Sequence, residues 1–317
     1  MNFELLPWLM PQSDRLRAQV GNGTLPHALL ISGPASSGKT LLMQALLARL
    51  LCTAGNSPCD NCHQCHLLKA GTHPDYLLIA PEDSKQILID QIRGLIEWVV
   101  QTSQQGGQKI CVVSPAHRMN VQAANSLLKC LEEPPKATTI VLISDEPNRL
   151  LPTIRSRCQH VVCHAPERKD AILWLQQQLQ SDMEPELLLE IADGVPLRAI
   201  EVIDADYLEL RGRIAEALPL VLSSRTSPIQ MAAGFSGDDP GSVLDIMYQL
   251  TADTISYSLS AASWRNHDLI KQLEKLATSI DLDARFEFLN RLCRAREMLG
   301  SNSNANPQML FEWVLAA

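Results

Sequence analysis

The sequence predicts an α/β domain with a parallel sheet, followed by a small helical segment and a larger all-α region. Three observations support this fold class. Over the first half of the chain, short apolar runs typical of buried strands alternate with segments of helical spacing. A glycine-rich phosphate-binding pattern joins one such strand to the helix after it. Beyond Ala165 we find no convincing strand. Strands that alternate with helices favour a parallel sheet with helices on both faces.

The predicted strands are short apolar runs bounded by polar or turn residues, at 27–32, 75–80, 109–114, 139–144 and 160–164. Helical spacing predicts helices between them, at 41–51, 87–100 and 121–133. Pro134 and Pro135 end the last of these helices. The insert at 52–65 is rich in Asn, Pro, Gly and Cys, so we expect it to be irregular.

The rest of the chain is predicted to be helical. Three short helices are expected at 167–179, 185–192 and 197–203, followed by a longer helical region with breaks near 223–228, 234–241, Asn266 and 301–307. The change in character predicts three domains. They are a nucleotide-binding-type α/β domain at 1–165, a small helical domain at 166–206 and a larger helical domain at 207–317.

A phosphate-binding loop is predicted by Gly33-Pro-Ala-Ser-Ser-Gly-Lys39-Thr40, which fits G-x-x-x-x-G-K-[ST] in full. The glycines allow backbone N–H groups to surround phosphates, and the helix N-terminus adds a favourable dipole. Lys39 would reach the β- and γ-phosphates and Thr40 would bind Mg²⁺. The alternative, a chance Gly/Ser turn, is disfavoured by the strand before it and the helix after it. The candidate nucleotide-binding residues are Gly33, Ser36, Ser37, Gly38, Lys39 and Thr40.

Hydrolysis of a bound nucleotide is not expected. NTPases of this class use acidic residues at the end of a later strand to hold Mg²⁺ and orient water. The predicted strand at 109–114 ends in Ser114-Pro115, where an acidic pair would be required. Glu132 and Glu133 lie at a helix end and are better explained by structure or subunit contacts. We therefore expect ATP and Mg²⁺, if bound, to remain unhydrolysed.

Four cysteines in the insert have the spacing of a metal site. Closely spaced Cys-x-x-Cys turns bring thiolates together, and structural zinc sites take four such ligands in a closed tetrahedron. The expected ligands are Cys52, Cys59, Cys62 and Cys65. His63 and His66 are possible substitutes, and the alternative is a set of free or redox-active thiols. A filled set of four thiolates leaves no open position for water, so we expect the zinc to be structural.

Arg157 is the candidate catalytic residue, acting on a neighbouring subunit's site. It stands in Ser156-Arg157-Cys158, after an apolar strand, a turn and a short basic helix. An arginine held out in this way can stabilise charge that develops on a transferred phosphoryl group. The alternative is a surface or salt-bridging arginine. Arg149 and Arg155 could instead contact DNA or a partner.

Near the C-terminus, an apolar stripe is predicted at Phe286, Leu289, Cys293, Met298 and Leu299, opposite Arg291 and Arg294. Such a stripe is usually internal helical core, although an exposed part could serve assembly. The sequence leaves both interpretations open.

Composition restricts the class of protein further. The net charge of −8 argues against a general nucleic-acid coating role, because such affinity comes mainly from Lys and Arg. No apolar run approaches the roughly 20 residues that a membrane span needs. The N-terminus shows no basic segment followed by an apolar run. We therefore expect a cytoplasmic protein without a membrane partner, in which the nine cysteines are reduced or bind metal.

The sequence resembles the bacterial clamp-loader family of AAA+ proteins. The resemblance is carried by motifs in the first half of the chain: Leu25-Pro-His-Ala-Leu-Leu-Ile, the phosphate loop, the cysteine insert, Gly71-Thr-His-Pro-Asp75, Asn125-Ser-Leu-Leu-Lys-Cys-Leu-Glu-Glu-Pro-Pro135 and Ser156-Arg157-Cys158. It implies an AAA+ domain, a helical lid at 166–206 and a helical collar for oligomerisation at 207–317. It also implies assembly in a hetero-pentamer with tau/gamma-type motor subunits and a delta subunit. That assembly would place a sliding clamp on primed DNA.

Within that family, the chain resembles a non-hydrolysing end subunit that contributes Arg157 to its neighbour's ATP site. Two features depart from the pattern. Such subunits often have a degenerate phosphate loop, whereas this one is intact. In Gly194-Val-Pro-Leu-Arg198 the arginine stands one position later than in the motor subunits' nucleotide sensor. The alternatives are an active motor subunit of the same complex and an unrelated zinc-dependent nucleic-acid-binding protein.

Overall fold

The computed structural model describes residues 5–54, 57–82, 84–105, 107–135, 137–179, 184–202, 205–259, 264–300 and 306–316. It divides into two compact units, Met1–Pro166 and Glu167–Ala317.

The first unit is built on a five-stranded parallel sheet with strand order β2-β3-β4-β1-β5. The strands are β1 (Ala28–Ser32), β2 (Tyr76–Ile79), β3 (Lys109–Val113), β4 (Thr138–Ser144) and β5 (Gln159–Val162). Every residue of β1, β3 and β4 is buried, whereas the edge strands β2 and β5 are partly exposed. Continuous apolar runs are typical of parallel strands covered on both faces. The predicted parallel α/β domain is therefore confirmed.

In the described part of this unit, six α-helices accompany the sheet: α1 (Met10–Gly21), α2 (Lys39–Leu51), α3 (His63–Ala70), α4 (Ile89–Val100), α5 (Val121–Glu132) and α6 (Pro152–Arg155). The helices α4 and α5 pack on each other and share a hydrophobic core that includes Ile92, Leu95 and Leu127. Their buried residues recur at helical spacing, which explains why the sequence predicted both helices correctly.

Two features of the first unit differ from expectation. Helix α1 was not predicted, and it buries only Leu16, so its sequence carries little apolar periodicity. The insert at 52–65 was expected to be irregular throughout, but its last three residues begin α3. The side chain of Cys62 accepts a hydrogen bond from the N–H of Cys65, which satisfies a free donor in the first turn of this helix.

The second unit is helical in every element that the structure describes. Its helices are α7 (Arg168–Gln178), α8 (Pro185–Ile191), α9 (Pro196–Val202), α10 (Ala205–Leu222), α11 (Pro228–Gly234), α12 (Pro240–Ser258), α13 (Ile270–Ser279), α14 (Leu282–Gly300) and α15 (Pro307–Leu315). The predicted end of one helix at Ile203, and residues 301–305 of a predicted break, lie outside the described residues. The expected helical region is confirmed.

Among the described residues of this unit, hydrophobic side chains form two separate clusters. A small one gathers apolar residues of α7, α8 and α9, and includes Leu175 and Leu188. A larger one gathers residues of α10 to α15, and includes Leu244, Phe288 and Phe311. The further division into domains at 166–206 and 207–317 stays a prediction. None of the described helices combines the length and apolarity needed to cross a membrane.

The sequence left open whether the apolar stripe is helical core or exposed surface, and on α14 its residues Phe286 and Met298 are exposed. Phe286 is 43% exposed, whereas Phe288 is fully buried together with Leu292 and Ala295. The buried residues stand at i, i+4 and i+7, which places them on one face of the helix. The core face of α14 is therefore rotated away from the predicted stripe.

Candidate functional site

The phosphate loop connects β1 to α2 and depends on its two glycines. A Cβ on Gly33 would lie 2.2 Å from the carbonyl oxygen of Cys163. Gly38 has a left-handed φ of +88°, and a Cβ there would lie 2.7 Å from the side chain of Leu9. Any other residue at either position would collide with its surroundings or strain the backbone. The conformation of the loop therefore requires glycine at both positions where the sequence motif has one.

Lys39, the first residue of α2, turns its side chain back into the loop. Its Nζ donates to the carbonyl oxygen of Gly33 at 2.9 Å and to Ser37 Oγ at 3.3 Å, and also to the carbonyl oxygen of Pro34. The same Nζ lies 2.6 Å from Asp145 Oδ1. Lys39 and Ser37 are buried, whereas Thr40 is exposed. Of the predicted residues, Gly33 and Ser37 therefore contact the buried ammonium group of Lys39.

Asp145 is a site residue that the sequence interpretation missed. It directly follows β4, which pairs with β1 in the sheet, so it lies beside the loop that follows β1. The available signal was the Ser-Asp-Glu sequence after an apolar strand, because the carboxyl ends of parallel strands meet at one edge of the sheet. The next residue, Glu146, instead pairs with Arg149 at 3.2 Å and lies 3.6 Å from His117.

The end of β3 carries no carboxylate. Ser114 and Pro115 follow this strand, and Ala116 and His117 come next. His117 is buried, and its Nδ1 lies 3.2 Å from Ser144 Oγ. Burial lowers the pKa of His117 more than the nearby Glu146 raises it. The His117 side chain thus links the ends of β3 and β4.

The four insert cysteines lie together as predicted. Their sulfur atoms are all within 4.8 Å of one another. Cys52 Sγ is 3.5 Å from Cys59 Sγ and 3.9 Å from Cys62 Sγ, and Cys59 Sγ is 3.9 Å from Cys65 Sγ. Four sulfurs bound to one zinc ion at about 2.3 Å would be about 3.8 Å apart. The cluster can therefore hold a metal ion such as zinc.

Backbone N–H groups support this cluster. The N–H of Cys62 donates to Cys59 Sγ at 3.3 Å, and that of Cys65 donates to Cys62 Sγ at 3.4 Å. The hydrogen bond from Cys65 is the main cause that lowers the pKa of the Cys62 thiol to about 5. Burial raises the pKa of the Cys65 thiol to about 12. Bonds of this kind orient thiolates toward a shared ligand and stabilise their negative charge.

Arg157 lies just after α6, beside the end of α5. Its guanidinium donates to the carbonyl oxygen of Thr153 at 2.9 Å and pairs with Glu132 Oε1 at 2.6 Å. Both partners lie outside the phosphate loop. About a third of the side chain, 35%, is exposed. Buried Cys158 anchors the turn that follows.

Other arginines considered from the sequence have local partners. Arg149 pairs with Glu146, and Arg155 donates to Asn148 Oδ1 at 3.0 Å. In the second unit, Arg198 lies 3.0 Å from a carboxylate oxygen of Asp193 and 3.8 Å from one of Asp245.

Asp75, the last residue of Gly71-Thr-His-Pro-Asp75, is almost completely buried. Its carboxylate accepts hydrogen bonds from Ser103 Oγ at 2.8 Å and from the N–H groups of Gln104 and Gln105 at 2.8 and 2.9 Å. Burial alone would raise the pKa of Asp75, but these hydrogen bonds outweigh it and lower the pKa. This residue fixes the loop that leads into β3.

Comparison with known proteins gives consistent matches along the chain. Residues 10–167 match the family model described as "DNA polymerase III, delta subunit", and residues 205–317 match "DNA polymerase III, delta subunit, C terminal". The chain is 33% identical to the DNA polymerase III subunit delta' of Pseudomonas aeruginosa, over 98% of this chain and 96% of that protein. It is 32% identical to the subunit of the same name from Escherichia coli, over 98% and 93%.

Among solved structures, the chain is similar to a DNA polymerase III gamma subunit-related protein from Thermotoga maritima. The TM-score is 0.51 at 21% identity, and the match covers 96% of this chain and 97% of the other. This similarity supports the fold, a parallel α/β domain followed by helices. The near full-length identity to the curated relatives, together with the two family models, shows that the chain belongs to the DNA polymerase III subunit delta' family.

Proposed function

We propose that this chain is the delta' subunit of a DNA polymerase III clamp loader, where it is a non-hydrolysing scaffold. In this role it supplies Arg157 to the ATP site of a neighbouring tau/gamma-type motor subunit. The assembly, which also contains a delta subunit, loads a sliding clamp on primed DNA. The names of the full-length relatives support the place in the complex. Their family argues against an unrelated zinc-dependent nucleic-acid-binding protein.

The observation that carries the proposal is the placement of Arg157. Its guanidinium is partly exposed, and its partners are Glu132 and the carbonyl oxygen of Thr153, neither of which belongs to the chain's own phosphate loop. A salt bridge between partly exposed groups is weak, typically about 0–1 kcal/mol, so a phosphate can replace the carboxylate as the arginine's partner. In a neighbour's site, the guanidinium would stabilise negative charge on the transferred phosphoryl group.

The absence of a carboxylate after β3 supports a non-hydrolysing role for this chain and disfavours the active motor subunit. Ser114 and Pro115 offer no acidic side chain to hold Mg²⁺ or orient water. Asp145 directly follows β4, the neighbouring strand, and it is paired with Lys39.

The phosphate loop is proposed to bind ATP with Mg²⁺ without hydrolysis. The two required glycines and the start of α2 leave the backbone suited to a phosphate. Lys39 would contact the β- and γ-phosphates, and the exposed Thr40 would bind Mg²⁺. Zinc held by Cys52, Cys59, Cys62 and Cys65 is proposed to be structural, because four sulfurs complete its coordination.

The test is an ATPase measurement on a reconstituted loader containing motor subunits, delta subunit, sliding clamp and primed DNA. With Arg157→Ala we expect a large loss of the ATPase rate with assembly intact. Arginine fingers contribute about 10³ to 10⁵ in rate at the site they serve, although only one of several motor sites would lose its finger here. Arg149→Ala is the matched control, since it removes an exposed arginine from the same segment. We expect this control to retain the wild-type rate.

An unchanged ATPase rate with Arg157→Ala in a fully assembled complex would contradict the trans-acting role. The chain would then act as a scaffold, and Arg157 would be a surface residue paired with Glu132. A rate that falls equally with Arg149→Ala would indicate a general effect of positive charge, such as DNA contact, rather than a specific finger.

A further inference from the structure

We propose that Asp145 is an internal counter-ion of the phosphate loop, which ATP must displace from Lys39 in order to bind. The carboxylate thereby sets the affinity of the loop for nucleotide. This inference rests on the proposed nucleotide site, and it assigns to Asp145 a role in the strength of binding rather than in catalysis.

The geometry places the carboxylate on the group that a phosphate would use. Asp145 Oδ1 lies 2.6 Å from Lys39 Nζ, a charged contact at hydrogen-bond distance. The other partners of this ammonium are neutral oxygens of Gly33, Pro34 and Ser37. Asp145 therefore supplies the negative charge that balances Lys39 in the structure.

The position of Asp145 is fixed by the sheet. Ser32 at the end of β1 pairs with Ser144 at the end of β4, so Asp145 follows directly beside the start of the phosphate loop. Ser144 is fully buried and bonded to His117. The backbone before Asp145 is thus held in place, so that movement of the aspartate side chain is enough to open the contact with Lys39.

The two partners differ in exposure. The side chain of Lys39 is 6% exposed, whereas that of Asp145 is 40% exposed. The carboxylate can therefore turn toward solvent, while the ammonium stays in the loop. A triphosphate arriving at the loop meets a cation that is already paired, and it is repelled by the carboxylate until that side chain moves away. Both effects weaken nucleotide binding.

The experiment measures the dissociation constant for ATP of the full chain by calorimetric titration, with and without Mg²⁺. Asp145→Asn removes the charge with little change in size, and we expect it to bind ATP on the order of tenfold tighter than wild type in both conditions, which corresponds to about 1.4 kcal/mol. Glu146→Gln makes the same charge change one residue further along, and we expect the wild-type affinity. ATP binding that is lost in Lys39→Ala is binding at the phosphate loop.

A second measurement follows Lys39 without nucleotide. The rate at which an amine-acetylating reagent modifies Lys39, read by mass spectrometry, should increase in Asp145→Asn and stay unchanged in Glu146→Gln. An unchanged acetylation rate in Asp145→Asn would show that Asp145 is not the counter-ion of Lys39.

The titration separates this inference from the proposed nucleotide site. If wild type binds ATP and Asp145→Asn binds equally or more weakly, the nucleotide site stands and the counter-ion role is wrong. A loss of affinity confined to the Mg²⁺ condition would identify Asp145 as a metal ligand instead. If neither protein binds ATP in a manner that depends on Lys39, the nucleotide site fails, and the inference fails with it.

Discussion

At the residue scale, the buried carboxylate of Asp75 should stabilise the folded chain by an amount that depends on pH. Hydrogen bonds from Ser103, Gln104 and Gln105 lower its pKa in the folded chain, against the opposing effect of burial. Because the folded pKa lies below the unfolded value, its stabilisation is fully present above about pH 4 and is lost as the pH falls through the folded pKa.

We expect Asp75→Asn to lower the free energy of unfolding by about 1–3 kcal/mol at pH 7, since a neutral amide cannot replace a charged acceptor of several hydrogen bonds. The difference from wild type should shrink below about pH 4. Urea denaturation across pH measures both values. Asp90→Asn is the control, because the Asp90 side chain is 83% exposed and should change stability by less than about 0.5 kcal/mol. A difference for Asp75→Asn that stays constant down to pH 2 would contradict this account.

Also at the residue scale, Glu132 holds Arg157 through a partly exposed pair. We expect Glu132→Gln to change the free energy of unfolding by less than about 1 kcal/mol, as for other exposed ion pairs. In the reconstituted loader it should retain the ATPase rate, because the finger itself is intact. A loss as large as that of Arg157→Ala would mean that Glu132 orients the arginine in the assembled complex.

At the element scale, the cysteine insert and the start of α3 form one structural feature. The four sulfur atoms lie close together at the start of α3. Two backbone N–H groups donate hydrogen bonds to sulfur atoms of this cluster. We expect one zinc ion per chain in the wild type and loss of zinc in Cys62→Ser, since three thiolates bind zinc more weakly than four. Cys293→Ser is the control, because it changes a half-buried cysteine of α14 and should keep its zinc.

Zinc content by atomic emission spectrometry measures this result, and hydrogen exchange of residues 57–70 reports the local consequence. We expect faster exchange there in Cys62→Ser, and after chelation of the wild type, because metal binding contributes directly to the order of such a segment. Equal zinc content in wild type and Cys62→Ser would show that Cys62 is not a ligand.

Individual strands and helices also differ in how well the sequence could predict them. The central strands β1, β3 and β4 are buried on both faces, so their apolar runs are unbroken and were recognised. Helix α1 buries only Leu16 and leaves no periodic pattern to detect. On α14, Phe286 and Met298 are exposed, so hydrophobicity alone did not identify the buried face of the helix.

The candidate sites also include parts that the sequence could predict and parts that it could not. The phosphate loop and the four cysteines are contiguous patterns, and the structure brings each set together. The pairs of Lys39 with Asp145 and of Arg157 with Glu132 join residues from different elements. Such pairs depend on strand order and helix packing, which a single sequence does not specify.

At the scale of the whole molecule, the chain divides into two compact units, each with its own hydrophobic core. The core of α10 to α15 contains fully buried Phe288, whereas Phe286, on the same helix, is 43% exposed. A change confined to one core should therefore weaken one unit and leave the structure of the other in place.

We expect Phe288→Ala to destabilise the second unit by about 3–5 kcal/mol, because it removes a large side chain from a closed core. Phe286→Ala should cost less than about 0.5 kcal/mol, since its side chain already contacts solvent. Hydrogen exchange with mass spectrometry measures both variants. In Phe288→Ala, protection should fall in α10 to α15 and persist in β1, β3 and β4, with zinc content unchanged. Equal loss of protection in both units would mean that the two cores unfold together as one cooperative structure.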